Sequence, residues 1–251
     1  MIRRIARRGL RELGRTGIYQ RLPDRHNDVL VYHSVGGGGY DDIPQTQFRR
    51  QLEWLTDAYE VVDLPAVREP GERKRVALTF DDALESFDET VLPLLREYSV
   101  PATVFVIGGS LGDDPTVTEL RGEPLMTAER LRAVADDPLV TVGSHTTNHV
   151  PLTELDDESA LRAEITGGAE RIEAELGVSV DRFSYPFYDW SPAVHDVVRE
   201  EHEYAVRGQG SEALITAETD PHLIPRINGA APLSTLKFTV SDSNKHLTRR
   251  S

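Results

Sequence analysis

Two adjacent carboxylates and two closely spaced imidazoles are the residues of this chain best suited to chemistry. Asp81 and Asp82 follow directly on the apolar run VALTF. A parallel strand ending in charged residues delivers them to the loop end of its sheet, where α/β barrels build active sites. Neighbouring side chains diverge, so one carboxylate can hold a metal while the other faces a reacting water. His145 and His149 stand in SHTTNH, after the apolar run LVTVG. That spacing brings two imidazoles to one side of a helical turn or tight loop, where both can chelate one ion. Each pair alone has a plainer explanation, since 42 of the 251 residues are acidic and a solvated Asp pair is ordinary. Their common placement at strand ends sets them apart. Two imidazoles and one carboxylate leave positions open for water, the ligand set of a hydrolytic site. With no cysteine in the chain, disulfides and thiolate ligands are excluded.

Apolar strands and amphipathic helices must alternate to position these groups, and the sequence reads that way. Strands are expected at 29–35, 60–64, 76–80, 101–107, 139–143, 182–187, 204–207 and 223–227. Helices are expected at 44–59, 85–98, 127–135, 156–176 and 191–202, with Gly177 as the stop of the fourth. Gly36 to Gly39 form a four-glycine loop after the first strand. About seven strand and helix units predict a distorted (β/α) barrel, with residues 26–251 as a single domain.

Charge is distributed unevenly. Residues 1–25 carry eight arginines against Glu12 and Asp24, a net +6, which leaves −20 for residues 26–251 out of a total of −14. Nucleic acid is therefore not an expected partner of the acidic body. Only Lys74, Lys237 and Lys245 are lysines among 28 basic residues. A surface of Asp, Glu and Arg reads as halophilic adaptation, with an ordinary acidic protein of a GC-rich genome as the alternative. The basic segment 1–25, with Ile2, Ile5, Leu10 and Leu13 at near-helical spacing, reads as a leader helix packed on the domain or in peripheral contact with an anionic membrane. It lacks the apolar core of a secretory signal, and no run is long enough to span a bilayer, so a cytoplasmic location is expected.

In order and spacing, three segments resemble the motifs of the polysaccharide deacetylases, carbohydrate esterase family 4, with their NodB-homology domain. TFDD (79–82) is similar to the first motif, HTTNH (145–149) to the second and RFSYPF (182–187) to the third. The resemblance covers about residues 29–229. It implies that Asp82, His145 and His149 bind a divalent metal, zinc, and that Asp81 is the general base on the attacking water. It also implies that the backbone N–H of Phe187 helps hold the oxyanion, and that the substrate is an N-acetylated polysaccharide or glycan.

The chain departs from the family pattern at three places. Where the third motif commonly has an arginine that orients the catalytic Asp, this chain has Ser184, so Arg226 in the late strand LIPRI is expected to reach across instead. The glycine that often follows the motif is Tyr188, which should crowd or shape the groove. The usual Leu-X-His that supplies the general acid is absent in its normal form. A branch resembling the poly-N-acetylglucosamine deacetylases carries a Tyr-His pair on an early strand, and VYHSV matches it, naming His33 as general acid. His222 is the rival, but it precedes its strand and would fall at the wrong end of a barrel. His26, His195, His202 and His246 are expected at the surface. Trp54 is expected in the core, while Tyr185, Phe187, Tyr188 and Trp190 offer either a sugar-stacking cluster or turn packing. The resulting expectation is an N-deacetylase, against a hydrolase of small cyclic amides or ureides and a non-catalytic glycan-binding relative.

Overall fold

The run DVLVY forms the first strand, β1 (Asp28–Tyr32), and all five residues are buried. Burial on both faces, against the barrel interior and the surrounding helices, explains why Val29–Tyr32 are continuously apolar or aromatic rather than alternating. The computed structural model describes residues 26–242 except 121, 156 and 210–213. The leader segment and His246 thus lie outside the described residues. Along the chain follow α1 (Gln45–Ala58), β2 (Glu60–Val61), β3 (Arg75–Phe80), α2 (Leu92–Tyr98), β4 (Ala102–Val106), β5 (Glu119–Leu120) and β6 (Glu123–Pro124). Then come α3 (Ala128–Ala135), β7 (Val140–Ser144), α4 (Glu158–Leu176), β8 (Arg182–Ser184), α5 (Pro192–Glu201), β9 (Tyr204–Gln209), β10 (Ile224–Asn228) and α6 (Leu233–Val240).

Strand β1 pairs in parallel with β10 on one side and β3 on the other, so the ring β1-β10-β9-β8-β7-β4-β3 closes on itself. This is the expected (β/α) barrel, with seven strands. Its distortion has a visible source. The start of β3 pairs with β2 (Glu60↔Arg75) and its end with β4 (Thr79↔Thr103), so two strands share one edge. At the N-terminal end of the strands, Lys74 is buried against Asp28 at 2.8 Å, so one of the three lysines serves the interior rather than the surface. No helix among the described residues is long and apolar enough to cross a membrane.

Side chains cap three of the helices, and the expected stop at Gly177 is in place. Thr127, Asp157 and Ser191 each accept a bond from the first turn of α3, α4 and α5, and Gly177 ends α4 with φ 70°. Three of the boundaries that differ from expectation have a visible cause. The helix expected at 85–98 opens with a widened turn, Phe87–Val91, because Pro93 has no N–H for the ladder at the start of α2. The strand expected at 182–187 stops at Ser184, since Pro186 cannot continue it and starts a 3-10 turn instead. The second strand shrinks to two residues, as Leu64–Arg68 winds into a 3-10 turn capped by Asp63. The β5–β6 hairpin and α6 were not expected.

Candidate active site

The ends of β1, β3, β7 and β8 deliver His33, Asp81, His145 and Ser184 to one rim of the barrel. Tyr32 and Phe80 are register partners, and the Asp81 N–H donates to the Tyr32 carbonyl at 3.0 Å, so Asp81 and His33 leave adjacent strands side by side. Asp81 is gripped from β10. Arg226 is fully buried, and its two terminal nitrogens donate to Asp81 Oδ1 at 2.7 Å and Oδ2 at 2.8 Å. Ser184 Oγ accepts from the same guanidinium at 2.9 Å and donates to Asp81 Oδ1 at 3.2 Å. A hydroxyl thus stands where the family has an arginine, and its small size leaves room for the guanidinium from the neighbouring region of the barrel. Burial pushes the Asp81 carboxyl up, but Arg226, His145 and His33 together outweigh it and hold the group well below the usual carboxylate range.

Asp82, His145 and His149 converge. Asp82 Oδ1 lies 3.5 Å from Nε2 of each histidine, and one ligand atom from each of the three falls within 4.8 Å of the others. His145 Nδ1 lies 2.7 Å from the Ser184 carbonyl, which can only accept, so the proton sits on Nδ1 and the Nε2 lone pair faces Asp82. Burial pushes the His145 imidazolium down to about 4, against the pull of Asp81 and of the Ser184 carbonyl, so the ring is neutral at neutral pH as a ligand must be. Donor types, mutual distances and tautomer all fit a divalent metal ion.

Helix α4 holds the loop that carries the two histidines. Glu164 accepts from the Asn148 N–H at 2.8 Å and from the Asn148 side chain at 2.7 Å, and its carbonyl accepts from the Thr147 N–H. The contact is close because Gly168 has no side chain. A Cβ there would lie 2.6 Å from the Thr146 carbonyl carbon. Gly168→Val is therefore expected to push the loop off the helix, lowering stability by about 1–3 kcal/mol and cutting metal content. Elemental analysis and a thermal melt check both.

His33 is half-buried at the rim, where it interacts electrostatically with Asp81 and His145 and meets the Tyr40 ring edge-on at 5.0 Å. The rival His222 is elsewhere. It precedes β10, and its Nε2 donates to the His202 carbonyl at 2.9 Å, before the start of β9. Phe187 sits beside the metal cluster, its ring 4.7 Å from that of His149. Tyr188 folds over the Arg226 guanidinium at 5.8 Å. Gly208 makes room for it: a Cβ there would lie 1.9 Å from Tyr188 Cγ, and the β9–β10 register skips this residue.

A family model for polysaccharide deacetylases matches residues 68–205, more than half of the chain. The chain belongs to the polysaccharide deacetylase family. Among its relatives, this chain is 30% identical over 135 residues to YxkH, a polysaccharide deacetylase candidate of Bacillus subtilis (strain 168), covering 51% of this chain and 44% of that protein. It is also 30% identical over 154 residues to the poly-beta-1,6-N-acetyl-D-glucosamine N-deacetylase of Escherichia coli (strain K12), covering 53% of this chain and 23% of that protein. The chain thus spans less than half the length of either relative. Among solved structures, IcaB from Ammonifex degensii shares the fold with a TM-score of 0.73 at 20% identity, covering 88% of this chain and 97% of that one.

Several features of the deacetylase barrel correct the sequence reading. His202 is buried, stacked on Phe183 at 5.2 Å, because it caps α5 from inside rather than facing water. His195 is also largely covered, turned towards Asp220. The aromatic cluster of the third motif divides: Tyr185 is buried in the core, while Phe187 and Trp190 stay 48% and 41% exposed. Trp54 is only partly buried, packed against Tyr59 and under Lys237. Sequence reasoning missed the roles of Glu164 and of the Ser184 carbonyl, for which no motif speaks. It also missed the backbone. Of eight non-glycine residues with positive φ among those described, six are Asp82, Ala83, Thr146, His149, Phe187 and Tyr188, all in the three motif loops. Such conformations persist only where surrounding contacts enforce them.

Proposed function

We propose that the chain hydrolyses N-acetyl groups on a polysaccharide or glycan, releasing acetate and a free amino sugar. The observation that carries this reading is the Asp81 carboxylate, locked by Arg226 and Ser184 beside a cluster of two imidazoles and one carboxylate. A non-catalytic glycan binder has no use for an oriented base next to its metal ligands. Asp82, His145 and His149 would hold the ion, zinc by its preference for imidazole and carboxylate. When bound, it would polarise the acyl carbonyl and acidify the attacking water.

The chain's own groups supply the rest. Asp81 accepts the proton of the water that attacks the acetamide carbon, held in place by its three side-chain bonds. The Phe187 backbone N–H, set by a left-handed φ of 55°, stabilises the developing oxyanion. His33 protonates the leaving nitrogen as the C–N bond breaks, so that acetate and amine leave with the atoms of one water shared between them. Tyr40 and Phe187, 45% and 48% exposed, flank His33 and His149 and present ring faces to a pyranose, which favours a sugar chain over a small cyclic amide.

The test is to incubate zinc-loaded protein with N-acetylglucosamine oligomers and with hydantoin-type ureides, measuring free acetate and new primary amines. Equimolar acetate and amine from the oligomers alone are expected. Ring opening of the ureides without acetate release would replace this reading. In parallel, His33→Ala should lower turnover about 10²- to 10⁴-fold with metal content unchanged, whereas His222→Ala should turn over like the parent. Reversed effects would move the general acid to His222.

A further inference from the structure

We propose that His195, Asp220 and His222 form a second binding site for a divalent transition-metal ion, outside the barrel wall and separate from the active centre. His195 belongs to α5, whereas Asp220 and His222 lie in the turn that leads into β10. His195 Nε2 is 3.1 Å from Asp220 Oδ2, and His222 Nδ1 is 3.4 Å from Asp220 Oδ1. One ligand atom from each residue lies within 4.8 Å of the other two. The donor set repeats that of Asp82, His145 and His149, with each histidine here facing a different oxygen of the carboxylate.

The orientation of His222 argues for a cation. Its Nε2 is 2.9 Å from the His202 carbonyl oxygen, which can only accept, so the neutral ring carries its proton there. Nδ1 then turns a lone pair towards a carboxylate oxygen at 3.4 Å, the oxygen that also accepts from the His222 backbone N–H at 2.9 Å. Two acceptors facing each other repel unless a cation or a second proton lies between them. A ring N–H given to a backbone carbonyl is also the usual outer partner of a metal-bound histidine, fixing its tautomer and aiming its other nitrogen. Ligand atoms about 3.4 Å apart are what bonds of about 2.0–2.2 Å to a tetrahedral ion require. The His195 and His222 side chains are both largely covered, while Asp220 is 43% exposed, leaving an entry path and room for a water ligand. An ion here would tie α5 to the strand that carries Arg226. Zinc suits the donors.

The test uses the full chain, stripped with chelator, reloaded with zinc, dialysed and analysed for metal. About two zinc ions per chain are expected in the parent. His195→Ala and Asp220→Asn should each bind about one and release acetate from N-acetylglucosamine oligomers at the parental rate. His145→Ala should also bind about one, and adding Asp220→Asn to it should leave none. Asp220→Asn alters a partly exposed side chain and keeps the comparison usable if His195→Ala fails to fold. Cobalt absorption in the His145→Ala chain reads the second site directly, whether or not the chain deacetylates anything. One zinc in the parent, lost entirely in His145→Ala, would overturn the proposal and leave a proton between His222 and Asp220. Two zinc ions in both His195→Ala and Asp220→Asn would overturn it equally.

Discussion

Arg226→Met is expected to lower the unfolding free energy by about 3–5 kcal/mol and to remove nearly all turnover, because it strands a buried carboxylate. Asp81 is only 3% exposed, so water cannot replace the two bonds from the guanidinium. Methionine fills much of the vacated volume, so the loss reports charge and hydrogen bonding more than a cavity. The pH dependence separates this cause from general damage. In the parent, the folded pKa of Asp81 lies below its unfolded value of about 3.9, so the stabilisation is fully present above that pH and is lost as pH falls through the folded value. Without Arg226, only His145 and His33 still oppose the upward push of burial, and the folded pKa rises. The destabilisation is then greatest at neutral pH and shrinks on acidification as Asp81 takes up a proton. Urea unfolding at pH 7 and pH 5 should show the parent–variant difference narrowing at the lower pH. A constant difference would mean that packing, not the carboxylate, carries the effect. Adding Asp81→Asn to Arg226→Met should recover part of the lost stability, and the double-mutant cycle isolates the pair.

Most of the barrel was legible because its signals are local. Continuous apolar runs mark strands buried on two faces, and Gly177 marks the end of α4. The cluster of Asp82, His145 and His149 was legible through two short motifs, each at a strand end. What stayed hidden depends on contacts across the fold. Nothing around residue 202 distinguishes a buried histidine from an exposed one, since its partner Phe183 comes from another strand. The left-handed φ values at Asp82, His149 and Phe187 leave no trace in residue type, because none of the three is glycine. Arg226 could be named only because Ser184 left a gap in the familiar pattern. That the guanidinium clears the barrel interior depends on Gly208 and on the ring of Tyr188, whose joint arrangement only coordinates reveal.

Asp81→Asn is expected to lower turnover by about 10²- to 10⁴-fold while zinc at the active centre stays bound, whereas Asp82→Asn should lose both. The two neighbours differ in their partners. Asp82 faces His145 Nε2 and His149 Nε2, while Asp81 faces Arg226 and Ser184. Asparagine at 81 keeps an oxygen for one guanidinium bond but turns an N–H₂ group towards other donors, and its amide takes no proton at working pH. Because Arg226 would then be a buried charge without its counterion, the variant should also be less stable, by about 3–5 kcal/mol. Rates therefore have to be compared at a temperature where circular dichroism shows both proteins folded. A structural role alone would not answer to added base. In Asp81→Ala, which opens space where the carboxylate stood, formate should restore part of the turnover, and the restored rate should saturate with formate concentration. Formate should do nothing for Asp82→Ala, whose defect is lost metal rather than a missing proton acceptor. Equal zinc loss at positions 81 and 82, or rescue at neither, would show that both carboxylates bind the ion and that the proton acceptor lies elsewhere.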